Sequence, residues 1–225
     1  SFSQYWLTHH YSETEGLATS FVNDIVQDNS GRMWLATRDG ISCYDGVNWE
    51  HHDESNGLPD YSFIKIRISR DGKIWAVAKP DRSSELPVFF FDGSKWHQIE
   101  TATGDFPKGD EITSFQLIDH NKETILFVGT IDSGIYRWQK GKWRNLTFND
   151  GLWSNIVNGL AVLYGKCYAA TDKGLSVIGR DGTIDNKTAG MIKFPPGKTV
   201  SANGKELGSS IKGIYIDKNG QNPRI

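Results

Sequence analysis

The chain has 225 residues, of which 37% are hydrophobic, 12% aromatic and 23% charged, and its formal net charge is -2. This apolar content and the balanced charge argue against an intrinsically disordered chain, and the lack of a basic excess argues against a nucleic-acid-binding protein. Every apolar run is far shorter than the roughly 20 residues that a membrane-spanning helix needs.

A short motif recurs along the chain. Residues 31–37 read GRMWLAT, and residues 72–78 read GKIWAVA. Phe127 and Tyr168 take the place of the tryptophan in two later copies. Further landmarks repeat with the motif: a Gly-Leu pair that begins at Gly16, Gly57 and Gly151, and a second aromatic series at Trp49, Trp96 and Trp143. The sequence is therefore built from units of about 40 to 47 residues.

The first unit predicts four short strands, at residues 21–27, 33–37, 41–44 and 48–52. The turns between them carry glycine where a hairpin needs a positive φ angle. No segment shows an apolar period of 3.6 residues over a helical length. We therefore predict an all-β protein.

Four-stranded units that recur every 40 to 50 residues are typical of β-propeller blades. We predict antiparallel blades at about 16–53, 57–99, 110–146 and 151–185, an incomplete fifth unit at 210–225, and an outer strand of a closing blade at 1–10. Residues 1–225 are thus expected to form a single partial propeller that belongs to a longer ring. Strand exchange between two copies, as a homodimer, is the alternative way to close a ring.

The recurring aromatic residues are predicted to serve the repeat itself. We expect one series to pack between neighbouring blades, namely Trp34, Trp75, Phe127 and Tyr168. The other series falls in the outermost strands, where we expect it to seal blade edges: Trp49, Trp96 and Trp143.

The first unit carries a specific pattern of residues. It reads Gly16-Leu17, then Val22, Ile25, Asp28, Gly31, Trp34, Thr37, Gly40-Ile41 and Tyr44-Asp45-Gly46. This pattern closely resembles the two-component regulator propeller repeat. The second unit repeats most of it, and the resemblance extends from residue 6 to about residue 185, with a further fragment at 211–220.

The resemblance implies a sensor rather than an enzyme. In that family the repeats form seven-bladed rings in the periplasmic part of membrane receptors, whose output module is a histidine kinase or a diguanylate cyclase. It therefore implies an extracytoplasmic location, a small-molecule or oligosaccharide ligand, and two further partners, the rest of the propeller and a membrane-anchored output module. It implies neither a cofactor nor nucleic acid as a partner.

Ligands of propellers usually bind at the end of the ring where the blade-to-blade loops and the turns between second and third strands meet. The candidate ligand-binding residues in these loops are Arg38, Asp39, Tyr61, Lys79, Asp81, Arg82, Asp132, Trp153, Asp172 and Lys173. Aromatic rings can stack on a sugar, while carboxylates and guanidinium groups bond its hydroxyls. The insertion at 79–85 departs from its own repeat, so we expect it to line the ligand or partner surface.

Catalytic and metal motifs are missing from the sequence. The adjacent histidines at 9–10 and 51–52 lie in predicted strands, where neighbouring side chains point to opposite faces and cannot share one ion. Cys43 and Cys167 are interpreted as buried structural residues. We predict no catalytic residue, metal or cofactor. Two alternatives remain open: a propeller enzyme, such as a lyase or glycan-processing enzyme, and a scaffold that binds proteins.

Overall fold

The computed structural model describes residues 9–79, 87–99 and 110–186, together with residues 215–216 and 223–224. Blade 1 comprises β1 (Val22–Gln27), β2 (Met33–Thr37), β3 (Gly40–Tyr44) and β4 (Trp49–His52). Blade 2 comprises β5 (Phe63–Ile68), β6 (Ile74–Ala78), β7 (Val88–Phe91) and β8 (Trp96–Gln98). Blade 3 comprises β9 (Ile112–His120), β10 (Glu123–Thr130), β11 (Ile135–Gln139) and β12 (Lys142–Leu146).

Blade 4 contains three strands, β13 (Val157–Leu163), β14 (Lys166–Thr171) and β15 (Gly174–Ile178). Beyond β15, an antiparallel bridge joins Ile178 to Ile184. A separate pair follows, β16 (Tyr215–Ile216) and β17 (Pro223–Arg224). In every blade the strands pair with their neighbours in chain order. The predicted all-β architecture of antiparallel blades is confirmed.

Two predicted terminal elements fall mainly outside the described residues. Of the closing strand expected at 1–10, only His9 and His10 are described, and neither lies in a strand. Of the incomplete unit expected at 210–225, only β16 and β17 are described.

The aromatic residues of the second strands lie between blades. Three core clusters each join two consecutive blades. Trp34 packs in the cluster shared by blades 1 and 2, Trp75 in the cluster of blades 2 and 3, and Phe127 in the cluster of blades 3 and 4. Tyr168 occupies the same place in blade 4 and is buried as well.

The first strand of each later blade contributes an apolar pair that packs against the preceding blade. These buried pairs are Phe63 with Ile66, Ile112 with Phe115, and Val157 with Leu160. The corresponding pair of blade 1 is Val22 and Ile25, whose exposed fractions are 41% and 51%. Blade 1 therefore presents to solvent the same positions that blades 2, 3 and 4 bury.

The prediction that the tryptophans of the outer strands seal blade edges is wrong for Trp96 and Trp143. Trp96 is 3% exposed and lies inside the core between blades 1 and 2, and Trp143 packs against the core between blades 2 and 3. Side chains alternate along a strand, so this tryptophan points to the preceding blade and the residue three positions later points to the next one. Trp49 faces the open side of blade 1, where it stacks on Tyr44 with ring centroids 4.7 Å apart.

A single turn of 3₁₀ helix forms the connector in front of three blades, at Glu13–Glu15, Glu54–Asn56 and Phe148–Asp150. Each turn begins with a reciprocal capping box. In the second one, the Asp53 side chain accepts from the backbone N–H of Ser55, and the Asn56 side chain accepts from the N–H of Asp53. Gly57 then ends the turn at φ 90°, and the leucine that follows is buried. The repeated Gly-Leu pair is thus the end of a capped turn.

Both cysteines are buried and unpaired. Burial raises the pKa of the Cys43 thiol to about 11 and raises that of Cys167 as well. A thiol that stays protonated is a poor nucleophile. Within the described residues, no helix has the length and apolar character that crossing a membrane requires.

Candidate functional site

Antiparallel strands place the turns of each blade alternately at two ends. One end, which we call the connector face, carries the blade-to-blade connectors and the turns between second and third strands, at residues 17–21, 38–39, 57–62, 131–133, 152–156 and 172–173. The other end, the hairpin face, carries the turns between first and second strands, at residues 28–32, 69–73, 121–122 and 164–165. It also carries the turns between third and fourth strands, at residues 45–48, 92–95 and 140–141. All the described candidate ligand-binding residues lie on the connector face.

One backbone hydrogen bond recurs at the connector face of all four blades. The residue that follows the second strand donates its N–H to the carbonyl of the residue that precedes the first strand. The four bonds are Arg38 to Phe21 at 3.0 Å, Lys79 to Ser62 at 2.7 Å, Ile131 to Glu111 at 3.0 Å, and Asp172 to Ile156 at 3.2 Å. The candidate residues therefore sit on backbone that the repeat itself holds in place.

The structure brings Arg38, Asp39, Tyr61 and Lys79 together around the connector of blades 1 and 2. The N–H of Gly40 donates to the carbonyl of Tyr61 at 3.4 Å, which ties the Arg38–Asp39 turn to that connector. The Arg38 guanidinium lies over the Phe21 ring at 5.6 Å from its centroid. A cation and an aromatic ring are thus neighbours on this part of the face.

A second group forms around the connector of blades 3 and 4 and contains Asp132, Trp153, Asp172 and Lys173. The N–H of Gly134 donates to the carbonyl of Asn155 at 2.9 Å, and the N–H of Trp153 donates to Ser176 Oγ at 3.1 Å. The Trp153 indole lies beside Gly174, next to the Asp172–Lys173 turn.

Two carboxylate oxygens on the connector face are buried without a hydrogen-bond partner in the part of the chain that the structure describes. They are Oδ2 of Asp110 and Oδ1 of Asp172. The other oxygen of Asp110 accepts the N–H of Asp132 at 3.2 Å. Buried polar atoms are normally paired, so each oxygen keeps the capacity to accept a hydrogen bond that no described residue donates.

Sequence reasoning did not single out Asp110. The available signal was its position just before the first strand of blade 3, in a connector between blades, where ligand-binding loops were expected. Asp81 and Arg82 lie outside the described residues. Among the described residues, no hydrogen bond or ion pair joins Lys79 to the group around Trp153, so the described candidates form two groups in these interactions.

The cations of this face carry no internal ion pair in the described parts of the chain. The salt bridges between described residues involve neither Arg38, Lys79 nor Lys173. Nor do those residues contain a group of three or more His, Cys, Asp or Glu side chains arranged to hold a metal ion. The face thus combines cationic donors, two buried carboxylate oxygens without a described partner, and aromatic surface.

The sequence profile described as "Two component regulator propeller" matches residues 16–39. These residues are thus similar to a two-component regulator propeller repeat. The repeat covers the connector and the first two strands of blade 1. The comparison with curated protein sequences found no match.

Several solved structures share the fold of this repeat protein. The extracellular domain assigned to the hybrid two-component system BT3049 of B. thetaiotaomicron is 18% identical, with a TM-score of 0.62 over 94% of this chain and 28% of that one. The extracellular domain assigned to the hybrid two-component system BT4673 of the same organism is 18% identical, with a TM-score of 0.60 over 88% and 25%. XC5397, a gluconolactonase from Xanthomonas campestris, is 18% identical, with a TM-score of 0.54 over 89% and 67%.

At this level of identity, the likeness establishes the β-propeller fold and nothing finer. The chain spans about a quarter of the length of the two extracellular domains that it matches.

Proposed function

We propose that the chain is part of the ligand-sensing propeller in the extracytoplasmic region of a bacterial membrane receptor of the two-component type. The match of residues 16–39 to the two-component regulator propeller repeat carries this proposal. The likeness in fold to extracellular domains of hybrid two-component systems supports it. In this proposal the chain itself catalyses no reaction. A histidine kinase or a diguanylate cyclase in a membrane-anchored output module gives the response.

The connector face is the proposed ligand site, and an oligosaccharide is the proposed ligand. The buried oxygens of Asp110 and Asp172 that lack a described partner each have the capacity to accept a hydrogen bond from a hydroxyl group. Trp153 offers an aromatic surface next to Asp172, and Lys173 adds a donor on the same turn. Donors, acceptors and a flat apolar surface side by side match the chemistry of a sugar.

The open side of blade 1 is the proposed contact with a further blade of the same repeat. Val22 and Ile25 occupy the positions that blades 2, 3 and 4 bury against their predecessors. Trp49 likewise occupies the position in which Trp96 is buried. A preceding blade would cover all three side chains at once. We propose that the described blades belong to a seven-bladed ring completed in this way.

The proposed function is tested by calorimetric titration of the chain with a panel of neutral oligosaccharides, combined with chromatography of the sugars after incubation. We expect saturable binding of at least one sugar, with the sugar recovered unchanged. Asp172→Asn and Lys173→Gln should each weaken that binding about tenfold or more, because each removes a polar contact worth about 1–3 kcal/mol. Lys95→Gln, an exposed change on the hairpin face, should leave it unchanged.

Three results would overturn the proposal. Conversion of a sugar into product would indicate a lyase or a glycan-processing enzyme. Sugar binding that is unchanged in the Asp172 and Lys173 variants would place the ligand elsewhere. If no sugar binds, a protein-binding scaffold becomes the better explanation.

A further inference from the structure

The hairpin face carries a cleft of about 590 Å³ between blades 2 and 3. Its wall on blade 2 consists of Arg70 and Asp71. Its wall on blade 3 consists of the six consecutive residues from Asp119 to Thr124. Because strands alternate in direction, this cleft lies at the end of the blades opposite the connector face. It is therefore separate from the proposed sugar site.

The cleft exists because the first hairpin of blade 3 departs from the repeat. In blade 2, one residue pair extends the hairpin beyond Trp75, at Ile74 and Ile68. In blade 3, four pairs extend it beyond Phe127, ending with Glu123 opposite His120. A two-residue turn of Asn121 and Lys122, with φ angles of 50° and 63°, closes this longer hairpin. The projecting hairpin forms the second wall of the cleft.

A hydrogen bond across the blade boundary fixes the two walls relative to each other. The backbone N–H of Arg70 donates to Asp119 Oδ2 at 2.6 Å, and Thr124 Oγ1 donates to Asp119 Oδ1 at 2.8 Å. The Asp119 carboxylate is thereby engaged on both oxygens. The cleft is a preformed feature, which favours binding because little ordering is needed.

The other two carboxylates of the cleft are also engaged within the protein. Glu123 Oε1 lies 3.1 Å from Lys140 Nζ, and Gln139 donates to Glu123 Oε2 at 3.2 Å. These bonds hold the pKa of Glu123 below its ordinary value. Asp71 lies 3.3 Å from Lys73 Nζ and accepts a hydrogen bond from Ser69. Burial opposes ionisation of Asp71, but the bonds from Ser69 and Lys73 outweigh it and lower its pKa.

The remaining polar side chains of the cleft are donors, except for the Asn121 amide, which both donates and accepts. Among the described residues, no carboxylate oxygen lies within 4.0 Å of the Arg70 guanidinium or the Lys122 ammonium group. Arg180 Nη1 lies 2.6 Å from His120 Nδ1, and since a guanidinium can only donate, Nδ1 is the acceptor. The proton of the neutral imidazole then resides on Nε2, which is a donor. Arg70, Lys122 and His120 therefore present side-chain N–H donors to the cleft, and no described carboxylate pairs with either of the two cations.

We infer that this cleft binds the oxyanion group of a small molecule, such as the carboxylate, sulfate or phosphate of a substituted sugar. The carboxylates of the cleft already have partners within the protein, whereas its two cations have none among the described carboxylates, so the cleft favours a negatively charged group. Its volume falls in the range of small-molecule sites, about 300–1,000 Å³. Arg70 and Lys122, one on each wall, are the residues that carry the charge recognition.

Titration of the chain with sodium glucuronate, followed by two-dimensional amide NMR and calorimetry at low ionic strength, tests this inference. Glucose serves as the uncharged partner, and sodium sulfate and sodium phosphate as oxyanions without a sugar. We expect glucuronate to bind saturably, to shift the amides of residues 119–124, and to weaken as salt is added, whereas glucose leaves those amides unmoved. Sulfate or phosphate shifting the same amides would show that the oxyanion alone is sufficient, and failure of both to shift them would show that the carboxylated sugar is the species recognised.

Matched variants complete the test. Arg70→Gln and Lys122→Gln should each reduce the affinity for glucuronate about tenfold, because each removes a charge-assisted hydrogen bond. Lys95→Gln makes the same charge change outside the cleft and should have no effect. An equal loss of affinity in all three variants would show that binding depends only on the net charge of the protein, and would overturn the inference. The absence of any glucuronate binding would also overturn it. The amides of residues 119–124 report binding in this cleft, whereas the Asp172 and Lys173 variants report binding at the connector face, so the two sites can fail independently.

Discussion

The imidazole of His52 lies stacked on the indole of Trp34 in the interface between blades 1 and 2, with ring centroids 5.2 Å apart. His52 is 1% exposed, and neither ring nitrogen has a hydrogen-bond partner in the described structure. The corresponding residues of the next two blades are Ile99 and Leu146. A titratable residue thus stands where the repeat otherwise places an aliphatic one.

We expect stability to fall in mild acid because of His52. Burial lowers the pKa of His52 below 6.5, although the Glu50 carboxylate, 3.7 Å from Nε2, acts in the opposite direction. The other charged groups that act on it are Arg32, His51 and Asp53. Below pH 6.5 the unfolded chain binds a proton at this residue and the folded chain does not. The free energy of unfolding should then fall by up to about 1.4 kcal/mol per pH unit.

Urea unfolding followed by tryptophan fluorescence between pH 5 and 8 measures this effect. His52→Leu should remove the decline and raise stability at pH 7 by about 1–2 kcal/mol, since it replaces two unpaired buried nitrogens. His51→Gln, on the exposed neighbour, should retain the decline. A His52→Leu protein with the same pH dependence as the parent would contradict this prediction.

Asp28 is expected to be a major stabilising residue of blade 1. Its carboxylate accepts from Arg32 Nε at 2.7 Å and from Trp34 Nε1 at 3.0 Å. It also accepts the backbone N–H groups of Ser30 and Arg32. Burial acts to raise its pKa, but these bonds outweigh burial and lower it below 3.8. Its contribution is therefore present at neutral pH and is lost as the pH falls below about 4.

Asp28→Ala should lower the free energy of unfolding by about 2–4 kcal/mol at pH 7, because it leaves the Trp34 indole N–H and the Arg32 guanidinium without their acceptor. Asp45→Ala, in the exposed turn between β3 and β4, should cost about 1 kcal/mol or less. Denaturant unfolding of both variants at pH 7 and pH 3 provides the measurement. A loss from Asp28→Ala that persists unchanged at pH 3 would show that the carboxylate charge is not responsible.

Gly40 is expected to tolerate no side chain. Its φ is 87°, and a β-carbon there would lie 2.5 Å from the carbonyl oxygen of His52. Gly46 has a similar φ of 102° but nothing within 4 Å of the same position. Gly46→Ala should therefore lower the free energy of unfolding by about 1 kcal/mol, the strain of a left-handed backbone. Gly40→Ala should lower it by clearly more. Thermal unfolding of the two variants compares them, and equal losses would rule out the steric contact as the cause.

The open side of blade 1 predicts a contrast between equivalent residues. Leu160 is 4% exposed and packs between blades 3 and 4, so Leu160→Ala should lower the free energy of unfolding by about 2–5 kcal/mol. Ile25 is 51% exposed, so Ile25→Ala should change it by about 0.5 kcal/mol or less in the monomeric chain. Urea unfolding combined with sedimentation velocity measures both. A large loss at Ile25 in a self-associated protein would mean that a second copy covers this side.

Strand positions could be predicted from the sequence because each strand lies between turn residues with a specific backbone role. In the first unit the predicted strands agree with β1 to β4 within one residue at their ends. The packing of Trp34 and Phe127 between blades followed from their recurrence. The inward position of Trp96 could not be predicted in this way. An outer strand can bury a side chain against the preceding or the following blade, and the sequence pattern does not indicate which.

The candidate sites were less predictable. The capping box that ends at Gly57 was visible as Asp53 followed by Asn56 three residues later, yet the Gly-Leu pair alone was recognised. The long hairpin of blade 3 was not predicted, because Asp119 and His120 are polar and Lys122 is an unusual residue at a positive φ. Which carboxylate oxygens remain without partners depends on contacts between loops of different blades.

The proposed receptor role is tested most directly by an immunoblot of fractionated source cells with an antibody raised against the chain. A band much heavier than 25.2 kDa in the membrane fraction, digested when protease is added outside the inner membrane, is the expected result. A soluble cytoplasmic band near 25.2 kDa, protected from that protease, would contradict the assignment to an extracytoplasmic sensor.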